Sequence, residues 1–261
     1  MRIATWNING VKARIDNLLA WLRESNPDVV CLQEIKTVDE GFPYLELGSL
    51  CYNAEVHGQK GFHGVALLSR HRIEDVHRGL PNNPGDEQSR FISGLIATSD
   101  GAVRVASAYM PNGNPIGTEK FAYKLDWLRR LEDWARAELR NEEPLIIAGD
   151  YNIIPTPLDA KYPQNWVTDA LYQPEPRAAF RRFAALGLTD AVRAVNDSGG
   201  IYTFWDYQAG AWQKNNGIRI DFLMLSPEAA DRLTSAGIDR HVRAWEKPSD
   251  HVPVWAELAE K

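Results

Sequence analysis

The sequence predicts an α/β protein with a mixed or antiparallel β-sheet core, and three observations support this prediction. Short apolar or alternating runs of strand length recur along the chain, and amphipathic helical segments lie between them. Turn-rich stretches separate the strand-like runs from the helical segments. The 261 residues are 44% hydrophobic and 25% charged, which supplies a sizeable core and excludes disordered, collagen-like and coiled-coil chains. Neither a fixed-period repeat nor a Gly/Ser-rich linker divides the chain, so we expect one domain over residues 1–261.

Seven segments have the length and pattern of β-strands. Four of them end in polar residues, whereas the polar pair Asp250 and His251 comes at the beginning of the last segment. Strands of opposite direction are therefore needed to bring these residues to one edge of a sheet. The predicted strands are residues 2–7, 28–34, 64–70, 103–110, 144–152, 218–225 and 251–258.

Helical spacing of apolar residues after residue 14 and after residue 118 predicts two helices that pack on a sheet. A third helix is predicted from Pro176 to near Gly187, and a fourth from its cap Ser226, through Pro227, to Gly237. The apolar faces are Ile15, Leu18, Leu19 and Leu22 in the first helix and Phe121, Leu125, Leu128, Ala135 and Leu139 in the second, whose Arg129, Arg130, Arg136 and Arg140 we assign to the solvated face.

Charge, apolar content and cysteine usage limit the compartment and the partners. A formal charge of −6 argues against an indiscriminate polyanion binder, although it leaves room for a local basic face. Because no apolar run approaches the ~18 to 20 residues of a membrane span, we expect a cytoplasmic protein without membrane contact. Cys31 and Cys51 are too few for a disulfide framework or a zinc site, so we expect reduced, buried thiols.

Acids, amides and one imidazole lie at the margins of the predicted strands. A carboxylate inside or against a strand is unfavourable to bury unless it is paired, hydrogen-bonded or metal-bound. Several such groups together therefore indicate a common site at one edge of the sheet core. These residues are Asn7, Glu34, Tyr109, Asn112, Asp150, Asn152, Asp221, Asp250 and His251.

This set of side chains suits hydrolysis of a phosphodiester. Hard oxygen ligands without a cysteine cluster favour Mg²⁺ or Mn²⁺, and Glu34 is the natural first ligand. Asp221 can orient His251 and favour its protonated form, which leaves Asp150 to position or deprotonate a water. The uncharged donors can hydrogen-bond phosphate oxygens without adding repulsive charge, and they are Asn7, Asn112, Asn152 and Tyr109.

Each residue also has an ordinary structural interpretation when it is considered alone. An Asn after a strand commonly holds a turn, and an acid at a strand end is commonly a cap or a solvated terminus. Asp221 could be satisfied by Arg219, and a single histidine is more often structural than catalytic. Aromatic residues usually pack in the core, and basic residues usually lie on the solvated surface.

The residues occur in blocks that resemble the exonuclease III and apurinic/apyrimidinic endonuclease family, within the wider endonuclease/exonuclease/phosphatase superfamily. This resemblance extends over essentially the whole chain. It implies a four-layer α/β sandwich, with two packed mixed β-sheets flanked by helices. The blocks, in the family's order, are WNINGVKAR (6–14), PDVVCLQEIK (27–36), HGQKGFHGVALLSR (57–70), GDYNIIPTPLD (149–159), YTFWDY (202–207), NNGIRIDFLM (215–224) and EKPSDHVPVW (246–255).

The resemblance implies a Mg²⁺-dependent DNA repair nuclease that cleaves on the 5′ side of abasic sites and digests duplex DNA from 3′ ends. It places Asn7 and Glu34 at the metal site and Asp250 at a second or alternative one, with Asp150, Asn152 and His251 near enough to share in it. Tyr109, Asn112 and Asn152 become phosphate contacts, Asp150 the water-activating acid, and Asp221 with His251 a phosphate-facing pair. Either Asp150 or an ionised Tyr109 could start the reaction.

A hydrophobic pocket for a base-free sugar is the remaining element that the resemblance implies. Phe204, Trp205 and Ile220 match it. Apart from the resemblance, the basic residues Lys36 and Arg90 are candidate substrate contacts. At Ile218 some relatives have an aromatic residue, so an aliphatic side chain there favours exonuclease behaviour. We expect a monomer acting on double-stranded DNA. The rival interpretations are another phosphoesterase of the superfamily and a non-catalytic DNA-binding protein.

Overall fold

β-Strands dominate the structure, a computed structural model that describes residues 1–98 and 101–259. The strands are β1 (Arg2–Asn7), β2 (Val29–Gln33), β3 (Asn53–His57), β4 (Val65–Ser69), β5 (Ile73–Arg78), β6 (Phe91–Thr98), β7 (Gly101–Tyr109), β8 (Leu145–Asp150), β9 (Thr189–Asp190), β10 (Asp221–Leu225), β11 (Leu233–Ile238) and β12 (Val254–Leu258). The α-helices are α1 (Ile15–Ser25), α2 (Tyr44–Gly48), α3 (Glu119–Glu138), α4 (Pro174–Ala185), α5 (Ala191–Val195) and α6 (Pro227–Ala230).

Within the described residues the strands form two six-stranded sheets. The first sheet has the order β11-β12-β1-β2-β4-β3, and the second has the order β5-β6-β7-β8-β10-β9. Both are mixed, because β1 runs parallel to β2 and β7 runs parallel to β8, whereas the neighbouring pairs are antiparallel. The mixed sheets predicted from the positions of the polar residues are thus confirmed.

The two sheets pack face to face and helices cover their outer faces, which confirms the four-layer sandwich. Ile3 and Val29 of the first sheet meet Val105 and Ile146 of the second in a shared buried cluster. α1 covers the outer face of the first sheet, where Trp21 lies against Trp6 with ring centroids 5.6 Å apart. α3 and α4 cover the second sheet. Such layering buries one face of every helix and both faces of the central strands.

The fourth predicted helix is wrong beyond its first turn. α6 ends at Ala230, and residues 233–238 form β11, an edge strand paired with β12. Ser226 and Pro227 do start a helix as predicted. The residues after it are stabilised more by hydrogen bonds to a neighbouring strand than by their helix propensity. A Cβ at Gly237 would lie 2.7 Å from the ring of Trp255, so this glycine permits the close packing of β11 on β12. The third helix begins two residues earlier than predicted, at Pro174.

Two predictions about individual side chains are also wrong. Arg130 is buried and not on the solvated face of α3, because its guanidinium donates to Asp86 at 2.8 Å and to Asp126 at 3.0 Å. Cys51 is exposed, whereas Cys31 is buried between the sheets as expected. Among the described residues, none of the helices is both long enough and apolar enough to cross a bilayer.

Candidate active site

The polar residues predicted at strand margins converge at one end of the sandwich, where the carboxyl ends of β1, β2, β7 and β8 meet. Asp150 ends β8, and the register sets Tyr109 of β7 beside it on one side and Asp221 of β10 on the other. Asp221 is the first residue of β10, so residues 218–220, which were predicted as strand, lie outside it. The strand pairing itself therefore brings two carboxylates and a phenol together.

A buried imidazole lies between the two carboxylates of the second sheet. The Nδ1 atom of His251 lies 2.9 Å from Oδ2 of Asp221, and its Nε2 atom lies 3.7 Å from Oδ2 of Asp150. Burial by itself would lower the pKa of His251, but the charges of Asp221 and Asp150 outweigh burial and raise this pKa to about 10. Thr203 donates its hydroxyl to Asp221 at 2.6 Å and fixes that carboxylate. The ring is thus held as an imidazolium at neutral pH.

Asp150 is the acid whose ionisation the site disfavours. Burial, together with repulsion from Asp221, raises the pKa of Asp150 to about 7, against the opposing charge of His251. Its Oδ1 accepts the backbone N–H of Asn152 at 2.9 Å, and its Oδ2 accepts from the Asn7 amide at 3.0 Å. A carboxyl group with a pKa near the working pH is suited to general-base chemistry.

Glu34 lies in the first sheet, directly after β2, and belongs to the same cluster. Its backbone adopts a left-handed conformation, φ 49°, of the kind found at constrained functional positions. Asn7 and Tyr109 donate to its Oε1 at 3.0 and 2.8 Å, and Lys36 lies 2.9 Å from its Oε2. Burial would raise the pKa of Glu34, but the bond from Asn7 and the charge of Lys36 lower it to about 2. Glu34 is therefore ionised.

One asparagine joins the two sheets at the site. The Nδ2 atom of Asn7, at the end of β1, donates both to Glu34 of the first sheet and to Asp150 of the second. Lys36 and Asn9 continue the network to Asp250, since Lys36 donates to the Asn9 side chain at 2.6 Å and Asn9 donates to Asp250 at 3.1 Å. Glu34 and Asp250 thus belong to one short hydrogen-bond chain, although they are distant in sequence.

Asn112 and Asn152 lie together, as the prediction of phosphate contacts requires. Their side chains approach at 3.5 Å, and Asn152 also donates its amide to the carbonyl of Met110 at 2.8 Å. Asn152 has a left-handed backbone, φ 47°. The Tyr109 hydroxyl lies nearby on Glu34, and burial plus the charges of Glu34 and Asp150 raise its pKa well above the usual value. Tyr109 is therefore a protonated donor.

The basic residues Lys36 and Arg90 reach the site in different ways. Lys36 is partly exposed and pairs with Glu34. Arg90 is buried, with its guanidinium stacked 4.7 Å over the ring of Tyr109 and bonded to the Tyr109 carbonyl, so it packs directly against a site residue. Their predicted contact with substrate stays a prediction.

The predicted hydrophobic pocket is present in part. Phe204 and Ile218 line an open cleft of about 270 Å³, and the Phe204 ring packs edge-on against His251 at 5.0 Å. Trp205 and Ile220 do not belong to the lining of this cleft: Trp205 is fully buried against Trp212, and Ile220 packs behind Ile218. The structure thus places Trp205 and Ile220 behind the cleft lining, and substrate contact stays a prediction for all four residues.

Besides Thr203 and Asn9, two residues near the site were not predicted from the sequence, Lys124 and His63. Lys124 of α3 is fully buried and donates to main-chain carbonyls of Asn112 and Asn152, and burial lowers its pKa to about 7. Its place on the apolar face of α3, between Phe121 and Leu128, was the signal that could have revealed it. His63 lies beside Tyr109 with ring centroids 6.0 Å apart. No residue-level pattern distinguished it from the other histidines.

The donor set is suitable for a hard divalent cation. Among the described residues, ligand atoms of Asp150, Asp221 and His251 all lie within 4.8 Å of one another. The other oxygen donors of the site are those of Glu34, Asn7 and Asp250. Carboxylate and amide oxygens without thiolates are the ligands that Mg²⁺ and Mn²⁺ prefer, so the residues fit such an ion.

Comparison with known proteins agrees with the fold and the site. A model of the Endonuclease/Exonuclease/phosphatase family matches residues 4–251. Exodeoxyribonuclease III of Haemophilus influenzae is 37% identical over 99% of this chain and 100% of its own. Among solved structures, a 3′ phosphatase named NExo from Neisseria, bound to product DNA hairpin, matches with a TM-score of 0.95 at 36% identity, and an AP endonuclease from Archaeoglobus fulgidus with 0.94 at 34%; each match covers 99% of both chains.

These matches extend over nearly all of the chain, and the acid, amide and imidazole groups that were predicted from the sequence converge at one end of the shared fold. The chain belongs to the endonuclease/exonuclease/phosphatase family, and it is a hydrolytic nuclease of the exonuclease III and AP endonuclease type.

Proposed function

We propose that this protein is a Mg²⁺-dependent DNA repair nuclease that cleaves the backbone 5′ to abasic sites and removes nucleotides from 3′ ends of duplex DNA. The observation that carries the proposal is the buried trio of Asp150, His251 and Asp221 beside ionised Glu34. We further propose that it acts as a cytoplasmic monomer and that one domain over residues 1–261 carries the activity. Residues 99, 100, 260 and 261 lie outside the described part of the chain.

Asp150 is the base in the proposed reaction. A water that attacks phosphorus must lose a proton, and Asp150, with a pKa raised to about 7, can accept it near neutral pH. The bond that breaks joins phosphorus to the leaving 3′ oxygen, which departs as a hydroxyl after taking a proton. Tyr109 is the weaker candidate because its pKa lies well above the usual value and its hydroxyl already donates to Glu34.

His251 contributes a fixed positive charge where negative charge develops. Asp221 occupies its Nδ1 at 2.9 Å, and the 3.7 Å between its Nε2 and Asp150 is too long for a hydrogen bond. The Nε2–H is therefore available to a phosphate oxygen. Preorganised donors of this kind stabilise a transition state without reorganising during the reaction. Asn112 and Asn152 add neutral donors on the same side.

Glu34 and Asn7, with Asp250 as a second or alternative position, are the residues that would hold the metal ion. His251 is less suitable as a ligand, because its proton and its bond to Asp221 occupy the ring. When bound, Mg²⁺ supplies charge neutralisation and polarisation of a phosphate oxygen. Glu34 stays ionised to pH values near 2, so this ligand is ready throughout the physiological range.

The rival functions are less well supported. A non-catalytic DNA-binding protein gains little from burying Asp150 and Asp221 together beside the partly buried Glu34, since buried carboxylates raise the free energy of the folded state. A phosphoesterase acting on other substrates would share the catalytic groups. The relatives whose names state an activity are nucleases, an AP endonuclease and a 3′ phosphatase, and this favours DNA ends and abasic sites as substrates.

The test is cleavage of a duplex that carries one abasic analogue, with Mg²⁺ or with a chelator. We expect one incision on the 5′ side and a 3′ hydroxyl end in Mg²⁺, with no product in chelator. Parallel reactions contain a recessed intact duplex, a 3′-phosphate duplex, RNA and an inositol phosphate. His251→Ala serves as the inactive control. Equal turnover of RNA or of the inositol phosphate, or incision that persists in chelator, would contradict the proposal.

A further inference from the structure

A buried lysine amino group contacts the loops that carry Asn112 and Asn152. Lys124, on α3, is fully buried, and its Nζ lies 3.0 Å from the carbonyl of Asn112, 2.6 Å from that of Asn152 and 3.4 Å from that of Ala170. When protonated, this amino group has three N–H donors, one for each of the three carbonyl acceptors. These three carbonyls belong to three separate loops: one follows β7, one follows β8, and one precedes α4.

We propose that Lys124 is a positioning residue of the nuclease site, one that clamps the two loops carrying Asn112 and Asn152 at a fixed spacing. The proposal rests on the function proposed above. Lys124 itself touches neither substrate nor metal; it acts through the main chain of the two asparagines.

The clamp extends from Asn152 to the general base. The carbonyl of Asn152 accepts from Lys124, while the N–H of the same residue donates to Oδ1 of Asp150 at 2.9 Å. The peptide groups on both sides of the Asn152 Cα are thus held by hydrogen bonds. They fix Asn152 in a left-handed backbone conformation, which is strained for a residue other than glycine. Movement of this loop would displace Asn152 and rotate Asp150 together.

The loop after β7 is shaped around the lysine stem. Gly113 has φ 88°, and a Cβ at this position would lie 2.6 Å from Cδ and 3.2 Å from Cβ of Lys124. The main chain therefore passes over the methylene groups of Lys124 at a distance that only glycine permits. This contact is independent of the hydrogen bonds, and it packs the residue after Asn112 against the Lys124 side chain. The hydrogen bonds thus join Lys124 to both asparagine loops, and the Gly113 contact adds a second point of support for the Asn112 loop.

The test compares three substitutions in single-turnover and steady-state cleavage of the abasic duplex with Mg²⁺. Lys124→Met keeps the stem and removes all three donors, and Lys124→Gln keeps some of them. Leu131→Ala removes a buried apolar contact from the same helix and serves as the control for lost stability. We expect Lys124→Met to lower kcat roughly 10- to 100-fold with KM little changed, because positioning partners of reactive groups typically have effects of this size. Lys124→Gln should lie between Met and the unmodified protein, and Leu131→Ala should lower Tm but not kcat.

A double-mutant cycle with Asn152→Ala separates positioning from general destabilisation. If Lys124 acts through Asn152, Lys124→Met lowers kcat far less in the Asn152→Ala background than alone. A full, multiplicative loss in that background, or an equal loss of kcat in Leu131→Ala, would overturn the proposal. Should Lys124→Met not fold, the same cycle is run with Lys124→Gln. An inactive unmodified protein would instead overturn the proposed function, so the two failures are distinct.

Discussion

Replacing Asp221 with Asn tests whether its negative charge keeps the neighbouring imidazole protonated. Nδ1 of His251 lies 2.9 and 3.1 Å from the two carboxylate oxygens of Asp221, and the side chains of Asp221 and His251 are 0% and 5% exposed. Solvent therefore screens their attraction little. Asn has nearly the same shape as Asp and can still accept a hydrogen bond, so the substitution removes charge with little change in packing. We expect the pKa of His251 to fall.

The size of the fall follows from the geometry. Two unit charges about 4 Å apart attract by roughly 4 kcal/mol at an effective dielectric constant near 20. One pKa unit corresponds to about 1.4 kcal/mol, and opposite charges at this distance usually shift a pKa by about 1 to 3 units. Starting from about 10, the pKa of His251 should fall by that amount in Asp221→Asn. The pKa of Asp150 should fall too, because it loses a like-charged neighbour.

The assay is an NMR titration of metal-free protein with labelled histidine, and His251→Gln assigns the signal. Asp250→Asn is the matched control, since Asp250 raises the pKa of His251 only weakly and makes no bond to the ring. A His251 signal that titrates at the same pH in Asp221→Asn as in the unmodified protein would refute the reasoning. The pH dependence of cleavage should shift in the same direction as the pKa of His251. Asp221→Asn should lose its activity at a lower pH than the unmodified protein.

Stability gives an independent reading of the same interaction. The pKa of His251 is higher in the folded protein than the ~6.5 of an unfolded chain. The folded state therefore holds this proton more tightly, and the stabilisation is fully present below pH ~6.5 and is lost as pH rises towards 10. In Asp221→Asn this loss should be complete at a lower pH, as urea unfolding at a series of pH values will show.

Three further substitutions have defined outcomes. Asp150→Asn should lower kcat about 10²- to 10⁴-fold. Because the pKa of Asp150 is raised from 3.8 to about 7, this carboxyl destabilises the fold progressively as pH rises from about 4 to about 7, and the full destabilisation persists above pH 7. Urea unfolding at pH 8 should therefore show a variant at least as stable as the unmodified protein, and a clear loss of stability would contradict this. Glu34→Gln should raise the Mg²⁺ concentration for half-maximal cleavage at least roughly tenfold, and an unchanged metal titration would remove Glu34 from the ligands. Asp159→Asn should lower the free energy of unfolding by about 3 kcal/mol in thermal melts, since buried Asp159 pairs with Arg219 and Arg193 at 2.7 Å; a Tm within error of the unmodified protein would show that the pairing contributes nothing.

Much of the site was predictable because strand ends are visible in sequence. Asn7, Tyr109 and Asp150 each end a run of apolar or alternating residues, and the structure places them at one edge. What could not be predicted was the register, which sets Asp150 opposite Asp221 and thus fixes the distance between two like charges. Register depends on pairing between distant segments, and no local pattern records it.

The errors have a common physical origin in tertiary contacts that override local preference. Residues 233–238 follow a helical start but become a strand because β12 offers a free edge. Arg130 carries the usual signal of a solvated helix face, yet Asp86 provides a buried partner from a distant loop. Lys124 was overlooked for the same reason, since its acceptors are carbonyls of three loops that meet only in the folded chain.

The bridge from Asn7 to Glu34 and Asp150 makes the site dependent on the complete sandwich. Its residues lie on both sheets, and His251 is contributed just ahead of β12, the strand that inserts between β11 and β1. A folding intermediate in which β12 is not yet paired therefore lacks a fixed imidazole in the site, whatever else has folded. Proton transfer and phosphate binding by His251 therefore depend on the pairing of β12 with β1.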